Sequence, residues 1–334
     1  MNLPELKYKL TQLLTSADEV NVLLAIEMGK GNQHVAQVLN QILQGYYAVY
    51  LCFIDPDSTS LDDMQVADIL SFNQTKLEIR NNDITQVPPE IVCLSHLETL
   101  NLSFNSITAL PPAIGGLTQL KHLVLRFNQL RQLPDEVTRL TQLTWLDLQG
   151  NLLKQLPAEI VHLQNLQNLH LSHNQLAQLP PEIGQLQALG TLDVERNQLS
   201  VLPEAIGELT NLKVLQLEHN QLQRLPDSIG VLKNLQLIRL IYNQITDLPS
   251  DLSQLQKVYT VDLDNNRLQN FPLSICQLSN LTSLSLTNNQ ITDLPEAIQT
   301  LGRLRFLNLS GNPISSTQLE QLKVWLPHCK VTFD

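Results

Sequence analysis

The segment "LSHNQLAQLPPEIGQL" (residues 171–186) returns almost unchanged as "LEHNQLQRLPDSIGVL" at 217–232. The pattern runs through most of the chain, because asparagine recurs every 23 residues in eleven registers without an insertion, at positions 82, 105, 128, 151, 174, 197, 220, 243, 266, 289 and 312. Ten prolines, from Pro88 to Pro295, keep the same spacing. A period in the twenties built on LxxLxLxxN predicts a solenoid of stacked repeats.

Each part of the repeat predicts a local structure. The LxL segment, such as Leu169 and Leu171, alternates with polar residues and predicts a short parallel strand with one buried face. The asparagine that follows can donate and accept hydrogen bonds, so we expect its amide to satisfy backbone groups that the turn buries. The proline of LPxxI fixes φ and breaks strand pairing, which predicts a short irregular or 3₁₀-like return.

One repeat cannot bury its apolar face alone, so the repeats are predicted to stabilise one another and to need a cover at each end. Residues 1–72 lack the 23-residue spacing and predict helices near 4–15, 18–28, 32–44 and 61–70. Ser16 and Glu19 have the spacing of a capping box at the start of the second helix. An apolar stripe at helical intervals marks the third helix: Val35, Val38, Leu39, Ile42 and Leu43.

The other end of the chain also leaves the repeat register. Leu319, Leu322 and Leu326 lie on one face of a predicted short helix, and Val331 and Phe333 alternate like a final strand. With both ends covered, we expect a complete soluble protein. The predicted domains are a helical N-terminal capping module at 1–72, eleven 23-residue repeats at 73–314 and a C-terminal cap at 315–334.

Composition limits the partners and the compartment. The net charge of −11 and the pI near 5.1 argue against a phosphate-binding surface, so nucleic acid is not expected as a partner. The longest apolar run, "YYAVYLCFI" at 46–54, has about half the length of a membrane-spanning helix, and the first residues do not resemble a secretory signal. Four separated cysteines fit neither a disulfide framework nor a paired metal site: Cys52, Cys93, Cys276 and Cys329. We predict a cytoplasmic protein without a membrane span.

One short motif resembles a catalytic site. Asp55-x-Asp57-x-Thr59, within "VYLCFIDPDSTS", is similar to the phosphotransfer motif of haloacid-dehalogenase-type phosphatases. That chemistry needs a full doubly wound domain that supplies a lysine and further metal-binding acids, whereas about 72 residues precede the repeats. A polar turn with helix-capping residues is therefore the favoured interpretation.

A second place raises the question of a metal site. His170 and His173 stand one repeat before Asp193 and Glu195, and neighbouring parallel strands lie about 4.8 Å apart. Three residues apart on a strand, however, the two imidazoles do not point the same way by default. Solvated surface histidines are the favoured interpretation. We predict no catalytic residue, no bound metal or cofactor, and no enzymatic activity.

Residues 75–334 resemble the leucine-rich repeat proteins, on the strength of the in-register LxxLxLxxNxLxxLPxxIxxL pattern. The type is similar to the intracellular repeats of Scribble and Erbin, of plant Ras-group repeat proteins and of bacterial cytosolic proteins. The closing "LPHCKVTF" at 326–333 also looks like the end of cytosolic members. The resemblance implies an α/β solenoid, a horseshoe with a parallel sheet on its concave side that is used for protein recognition. Residues 1–72 match no family.

The repeat spacing predicts which side chains line the concave face. The first repeats bring aromatic and basic residues, and the middle repeats bring carboxylates around one arginine. Exposed aromatics beside charges are typical of interface anchors. Two alternatives remain open: the aromatics before the repeat asparagines pack along the sheet edge, and single carboxylates are simply solvated. The predicted partner-binding residues are Phe104, Arg126, Phe127, Trp145, His170, Asp193, Glu195, Glu218, Arg239, Ile241 and Tyr242.

These features predict a non-enzymatic recognition or scaffold protein in signalling. Its concave face is expected to bind a folded protein or a peptide, and a basic partner suits the acidic middle repeats. A monomer is the favoured oligomeric state. One alternative is that the N-terminal module carries an activity or mediates assembly, and another is a bacterial effector that acts inside a host cell.

Overall fold

Helices open the chain, as the sequence predicts. The structure, a computed structural model, describes residues 2–333. The first helices are Leu3–Leu14 (α1), Glu19–Lys30 (α2), Gln33–Phe53 (α3) and Val66–Phe72 (α4). Helix α3 is longer than predicted, because the apolar run at 46–54 continues it and buries Tyr46, Val49, Tyr50 and Phe53 at helical spacing.

Two further details of this region correct the prediction. The segment predicted as one helix at 61–70 begins with a separate 3₁₀ turn at Leu61–Asp63 before α4. The capping box predicted from Ser16 and Glu19 does not form. Asp18 caps α2 instead, because its carboxylate stands directly before the helix and accepts from the backbone N–H of Val20 at 3.0 Å.

A buried asparagine ties the helices together. The Tyr46 hydroxyl of α3 donates to Asn73 Oδ1 at 2.8 Å. The Asn73 amide in turn donates to the backbone carbonyls of Leu14, at the end of α1, and Ser16 at 2.5 and 2.8 Å. Burial raises the pKa of Tyr46 far above its usual range, so this hydroxyl stays a hydrogen-bond donor at neutral pH.

The chain divides between Asp147 and Leu148 into two compact units. Every strand of the first unit follows the repeat spacing. Parallel pairing joins neighbours in chain order, and each residue faces the residue 23 positions later, as Leu77 faces Leu100. The strands of this unit are Lys76–Glu78 (β1), Thr99–Asn101 (β2), His122–Val124 (β3) and Trp145–Asp147 (β4).

The second unit continues the pattern with its own strands. They are Asn168–His170 (β5), Thr191–Asp193 (β6), Val214–Gln216 (β7), Leu237–Arg239 (β8), Thr260–Asp262 (β9), Ser283–Ser285 (β10), Phe306–Asn308 (β11) and Lys330–Thr332 (β12). A helix at Ser316–Trp325 (α5) precedes β12, which pairs in parallel with β11. The predicted closing helix and strand are therefore present, although β12 ends one residue before Phe333.

Between most neighbouring strands, a buried aliphatic layer separates the strand from a 3₁₀ turn; the segment between β8 and β9 has the aliphatic layer but no 3₁₀ turn. Pro180, for example, precedes the 3₁₀ turn Pro181–Gln185, whose Ile183 is buried, and Leu192 of β6 is buried as well. The predicted 3₁₀-like return and the α/β leucine-rich solenoid architecture are confirmed in each unit. The division of the chain into three domains stays a prediction.

Candidate binding surfaces

Each strand buries its central residue and turns its outer residues to the opposite side of the sheet. We call the side that carries the outer residues the open face, and we include in it the side chains just before each repeat asparagine. All predicted partner-binding residues lie on it, in two groups. The first-unit face carries Phe104, Arg126, Phe127 and Trp145. The second-unit face carries His170, Asp193, Glu195, Glu218, Arg239, Ile241 and Tyr242.

The residue before each repeat asparagine adopts a left-handed backbone conformation. This feature is absent from the sequence prediction. The φ angles of the non-glycine residues in this column lie between 51° and 58°. The column contains Asn81, Phe104, Phe127, Gly150, His173, Arg196, His219, Tyr242, Asn265, Asn288 and Gly311. Asparagine, histidine and glycine tolerate this region, whereas phenylalanine and tyrosine rarely adopt it.

The aromatic residues of this column stack on one another. On the first-unit face, the rings of Phe104 and Phe127 lie 4.8 Å apart and 18° from parallel. On the second-unit face, His219 and Tyr242 lie 4.5 Å apart at the same angle. Phe104 is nevertheless 46% exposed and Tyr242 52% exposed. The aromatics thus pack along the sheet edge, as one interpretation predicts, and still leave about half of their surface open.

The stacked pair of the second unit continues to Arg196 of the preceding repeat. We call Arg196, His219 and Tyr242 the ladder. Arg196 lies 3.4 Å from His219 through Nη2 and Nε2, and it also pairs with Glu195 at 3.1 Å. Partial burial and the Arg196 charge lower the pKa of His219. The ring is therefore neutral at pH 7, and it can accept from Arg196 while it stacks on Tyr242.

On each face, a carboxylate lies close to a basic side chain of the preceding repeat. On the first-unit face, Arg126 Nε lies 3.2 Å from Oδ2 of the buried Asp147. Trp145, at the start of the same strand β4, is half-buried. On the second-unit face, His170 Nδ1 lies 3.7 Å from Asp193 Oδ2.

The buried Glu218 and the half-buried Asp262 of the second-unit face both have a raised pKa. Burial, reinforced by the charges of Glu195 and Asp193, raises the pKa of Glu218 to about 7. Burial and the charge of Asp264 raise the pKa of Asp262 to about 6. Asp262 and the ladder residue His219 belong to this face but are not among the predicted residues, because their burial and stacking depend on neighbouring repeats.

The catalytic-like motif occupies a turn after a helix. Asp55 follows the end of α3, not a strand, and its Oδ1 accepts from the backbone N–H of Asp57 at 3.2 Å. Asp63 accepts from the backbone N–H groups of Thr59 and Ser60 at 3.2 and 3.1 Å. These hydrogen bonds match the predicted polar capping turn. The phosphotransfer motif would follow a strand, whereas this segment follows helix α3.

The described residues form neither a metal-binding cluster nor a membrane-spanning helix. Residues 2–333 contain no group of three or more histidine, cysteine, aspartate and glutamate side chains placed to hold a metal ion. His170 lies in β5, whereas His173 lies beyond it in the left-handed column. Over the same described part of the chain, no helix combines the length and apolar character needed to cross a bilayer.

Family models match the repeats over most of the chain. The leucine rich repeat model matches residues 73–130, 118–176 and 256–314. The leucine-rich repeat region model matches residues 165–243. No curated protein matches the chain in sequence.

Solved structures match about three quarters or more of the chain. A leucine-rich repeat protein from Leptospira interrogans is 32% identical, with 81% of this chain and 86% of that one covered and a TM-score of 0.54. The functional domain of InlJ from Listeria monocytogenes is 26% identical, with 74% and 51% covered and a TM-score of 0.63. The plant peptide hormone receptor RGFR1, solved in complex with RGF2, is 26% identical, with 80% and 49% covered and a TM-score of 0.65. The chain spans about half the length of the last two.

Proposed function

Because this chain belongs to the leucine-rich repeat family, whose members are generally non-enzymatic binding modules, we propose that it recognises a protein or peptide on its open face. This is the side that the sequence predicts to be concave. The receptor RGFR1, solved in complex with RGF2, supports recognition of such a partner. A scaffold role in signalling, a cytoplasmic location and the lack of an enzymatic activity are parts of the same proposal.

The observation that carries the proposal is the placement of Tyr242. Its backbone has a φ of 55°, a conformation that costs a bulky residue about 1–3 kcal/mol. Its side chain is 52% exposed, so burial in the core does not offset that cost. Residues that tolerate the conformation occupy the same column in the next repeats, at Asn265 and Asn288. A costly, half-exposed tyrosine is the kind of residue that anchors a protein interface.

The charge of the second-unit face supports a basic partner. Its carboxylates outnumber its arginines: Asp193, Glu195, Glu218, Asp262 and Asp264 stand beside Arg196 and Arg239. Such complementarity accelerates association more than it strengthens the final complex. The stacked Phe104 and Phe127 of the first-unit face form a separate apolar contact surface within the same proposal.

Tyr242→Asn tests this function with little disturbance of the fold. Asparagine already occupies this backbone position at Asn265 and Asn288, so the repeat keeps its left-handed turn. We expect the thermal unfolding midpoint to stay within a few degrees of the wild-type value, while affinity for the partner falls about 30-fold, the effect of an interface anchor. The partner is the protein identified by cross-linking to the wild-type chain in its native cell, then purified for surface plasmon resonance.

Matched controls lie on the other side of the second unit. Val231 and Leu273 are exposed apolar residues of 3₁₀ turns, at 48% and 63% exposure. Val231→Ala and Leu273→Ala should leave the affinity unchanged. Equal binding by the wild-type chain and the Tyr242→Asn variant would place the interface elsewhere and reject the proposal for this face.

A further inference from the structure

Two carboxylates of the second-unit face, the buried Glu218 and the half-buried Asp262, lie near the guanidinium of Arg239. Glu218 is 6% exposed, and its Oε1 lies 3.8 Å from Arg239 Nη1. The other oxygen, Glu218 Oε2, is buried and has no hydrogen-bond partner among residues 2–333. The same holds for Asp262 Oδ1, on the strand that follows Arg239. Buried polar atoms of native proteins are nearly always paired, so these two oxygens call for a donor.

The neighbouring charges do not supply that donor. Asp193 and Glu195 face Glu218 from the preceding repeat, and both are negative. Asp193 Oδ2 lies 3.7 Å from the His170 ring, and Glu195 pairs with Arg196 at 3.1 Å. Arg239 therefore faces Glu218 and Asp262 as the shared cation in the described structure. Asp264 adds a further carboxylate beside Asp262, so Glu218 and Asp262 together have more negative than positive neighbours. We call the cluster of Glu218, Asp262 and Arg239 the cation pocket.

Arg239 itself is loosely held. Its side chain is 44% exposed, and the 3.8 Å separation from Glu218 exceeds the length of a hydrogen bond. A side chain held this way can turn outward without breaking a strong contact. An Arg239 side chain turned outward leaves room beside Glu218 and Asp262 for a group that arrives from the open face.

We propose that the pocket of Glu218, Asp262 and Arg239 receives the cationic end of a lysine or arginine side chain from a protein partner. The inference deepens the proposed function and rests on it. An ammonium or guanidinium group supplies both the missing charge and the N–H donors that the unpaired oxygens need. A carboxylate from a partner would pair with Arg239 but would bring a third negative charge beside Glu218 and Asp262.

Proton release accompanies this binding. Burial raises the pKa of Glu218 to about 7, so about half of the free protein carries a proton on this carboxyl at pH 7. A bound cation favours the ionised form and expels the proton. Affinity therefore rises with pH, because a bound cation lowers the pKa of Glu218 from its raised value of about 7, and we expect a gain of up to about tenfold between pH 6 and pH 8. Asp262, with a pKa of about 6, adds a smaller gain in the same direction.

Calorimetry on the full chain tests the pocket with a defined probe. The probe is a peptide with three consecutive arginines, and its control is the same peptide with citrulline, which keeps the shape and removes the charge. We expect the arginine peptide to bind about tenfold more tightly at pH 8 than at pH 6, with proton release seen in buffers of different ionisation enthalpy. Glu218→Gln should weaken binding at pH 8 at least about tenfold and remove most of the pH dependence.

A second variant and a control variant test whether the arginine peptide binds at these carboxylates. Asp262→Asn should weaken binding in the same direction, and it serves as a second test if Glu218→Gln folds poorly. Glu159→Gln, which changes an exposed carboxylate in the 3₁₀ turn Ala158–His162, should leave binding unchanged. Equal binding of the citrulline peptide, unaltered binding by Glu218→Gln and Asp262→Asn, or displacement of the arginine peptide by calcium at constant ionic strength would each overturn the inference.

The outcome is separable from the test of the proposed function. If Tyr242→Asn loses the partner while Glu218→Gln keeps both the partner and the arginine peptide, the cation pocket is rejected and open-face recognition stands. If Tyr242→Asn keeps the partner while the arginine peptide still requires Glu218, the pocket stands as a cation site and the interface lies elsewhere.

Discussion

Replacing Asn197 with leucine is expected to lower the free energy of unfolding by about 3 kcal/mol or more. The Asn197 amide donates to the buried backbone carbonyls of Leu171, Val194 and Glu195 at 3.0, 3.1 and 3.2 Å. Its Oδ1 accepts from the backbone N–H of Leu176 at 2.9 Å. Leucine has a similar size but can form none of these bonds. The N–H of Leu176 loses its only partner among the described residues, which costs about 1–3 kcal/mol. The three carbonyls keep a second donor, from Asn174, Asn220 and His173, but each loses one bond worth about 0.5–1.5 kcal/mol.

Asn211→Leu is the matched control. Asn211 lies in the same unit, is exposed, and donates through Nδ2 to the carbonyl of Gln187 at 2.7 Å. Water can replace that bond, so we expect a change within about 0.5 kcal/mol. Urea unfolding followed by circular dichroism measures both variants. Equal stability of the two would contradict the role of the repeat asparagine.

The repeat architecture could be predicted because the 23-residue spacing determines which residues lie beside each other in the sheet. A residue 23 positions along the chain lies beside its equivalent in the sheet, so Leu169 and Leu192 pair as the pattern requires. The asparagine role follows equally from the sequence, because a buried turn leaves backbone groups that an amide can satisfy. The extent of α3 could not be predicted, since nine consecutive apolar residues fit a buried strand as well as a helix.

The candidate site was harder to predict than the fold. Spacing identifies which residues share the open face, but it does not reveal that Tyr242 occupies a left-handed position. A signal was present, because asparagine, glycine and histidine fill most of that column, and these residues tolerate positive φ. The unpaired oxygens of Glu218 and Asp262 left no such signal. Their burial depends on how the side chains of three successive repeats pack.

A valine at position 184 is expected to cost about 2–3 kcal/mol, because two neighbouring turns approach too closely for a side chain. Gly184 lies in the 3₁₀ turn Pro181–Gln185. A Cβ atom there would come to 2.9 Å from Ala205 Cβ and even closer to the Ala205 carbonyl oxygen. The obstacle is backbone, which cannot rotate away, so the turns must separate. Forcing extra atoms into packed structure typically costs about 1–3 kcal/mol.

Comparing the stability of alanine and valine variants separates the effect of this close contact from the general effect of losing a glycine. Gly184 is not in the left-handed region, so alanine and valine meet no backbone strain there, and we expect stability to fall from glycine to alanine to valine. Gly302, in the same unit, has no atom within 4 Å of an added Cβ. Gly302→Val should therefore cost less than about 1 kcal/mol in the same urea titration. If the two valine variants lost equal stability, the spacing of the turns would be adjustable, and the close contact at Gly184 would not hold the repeats in register.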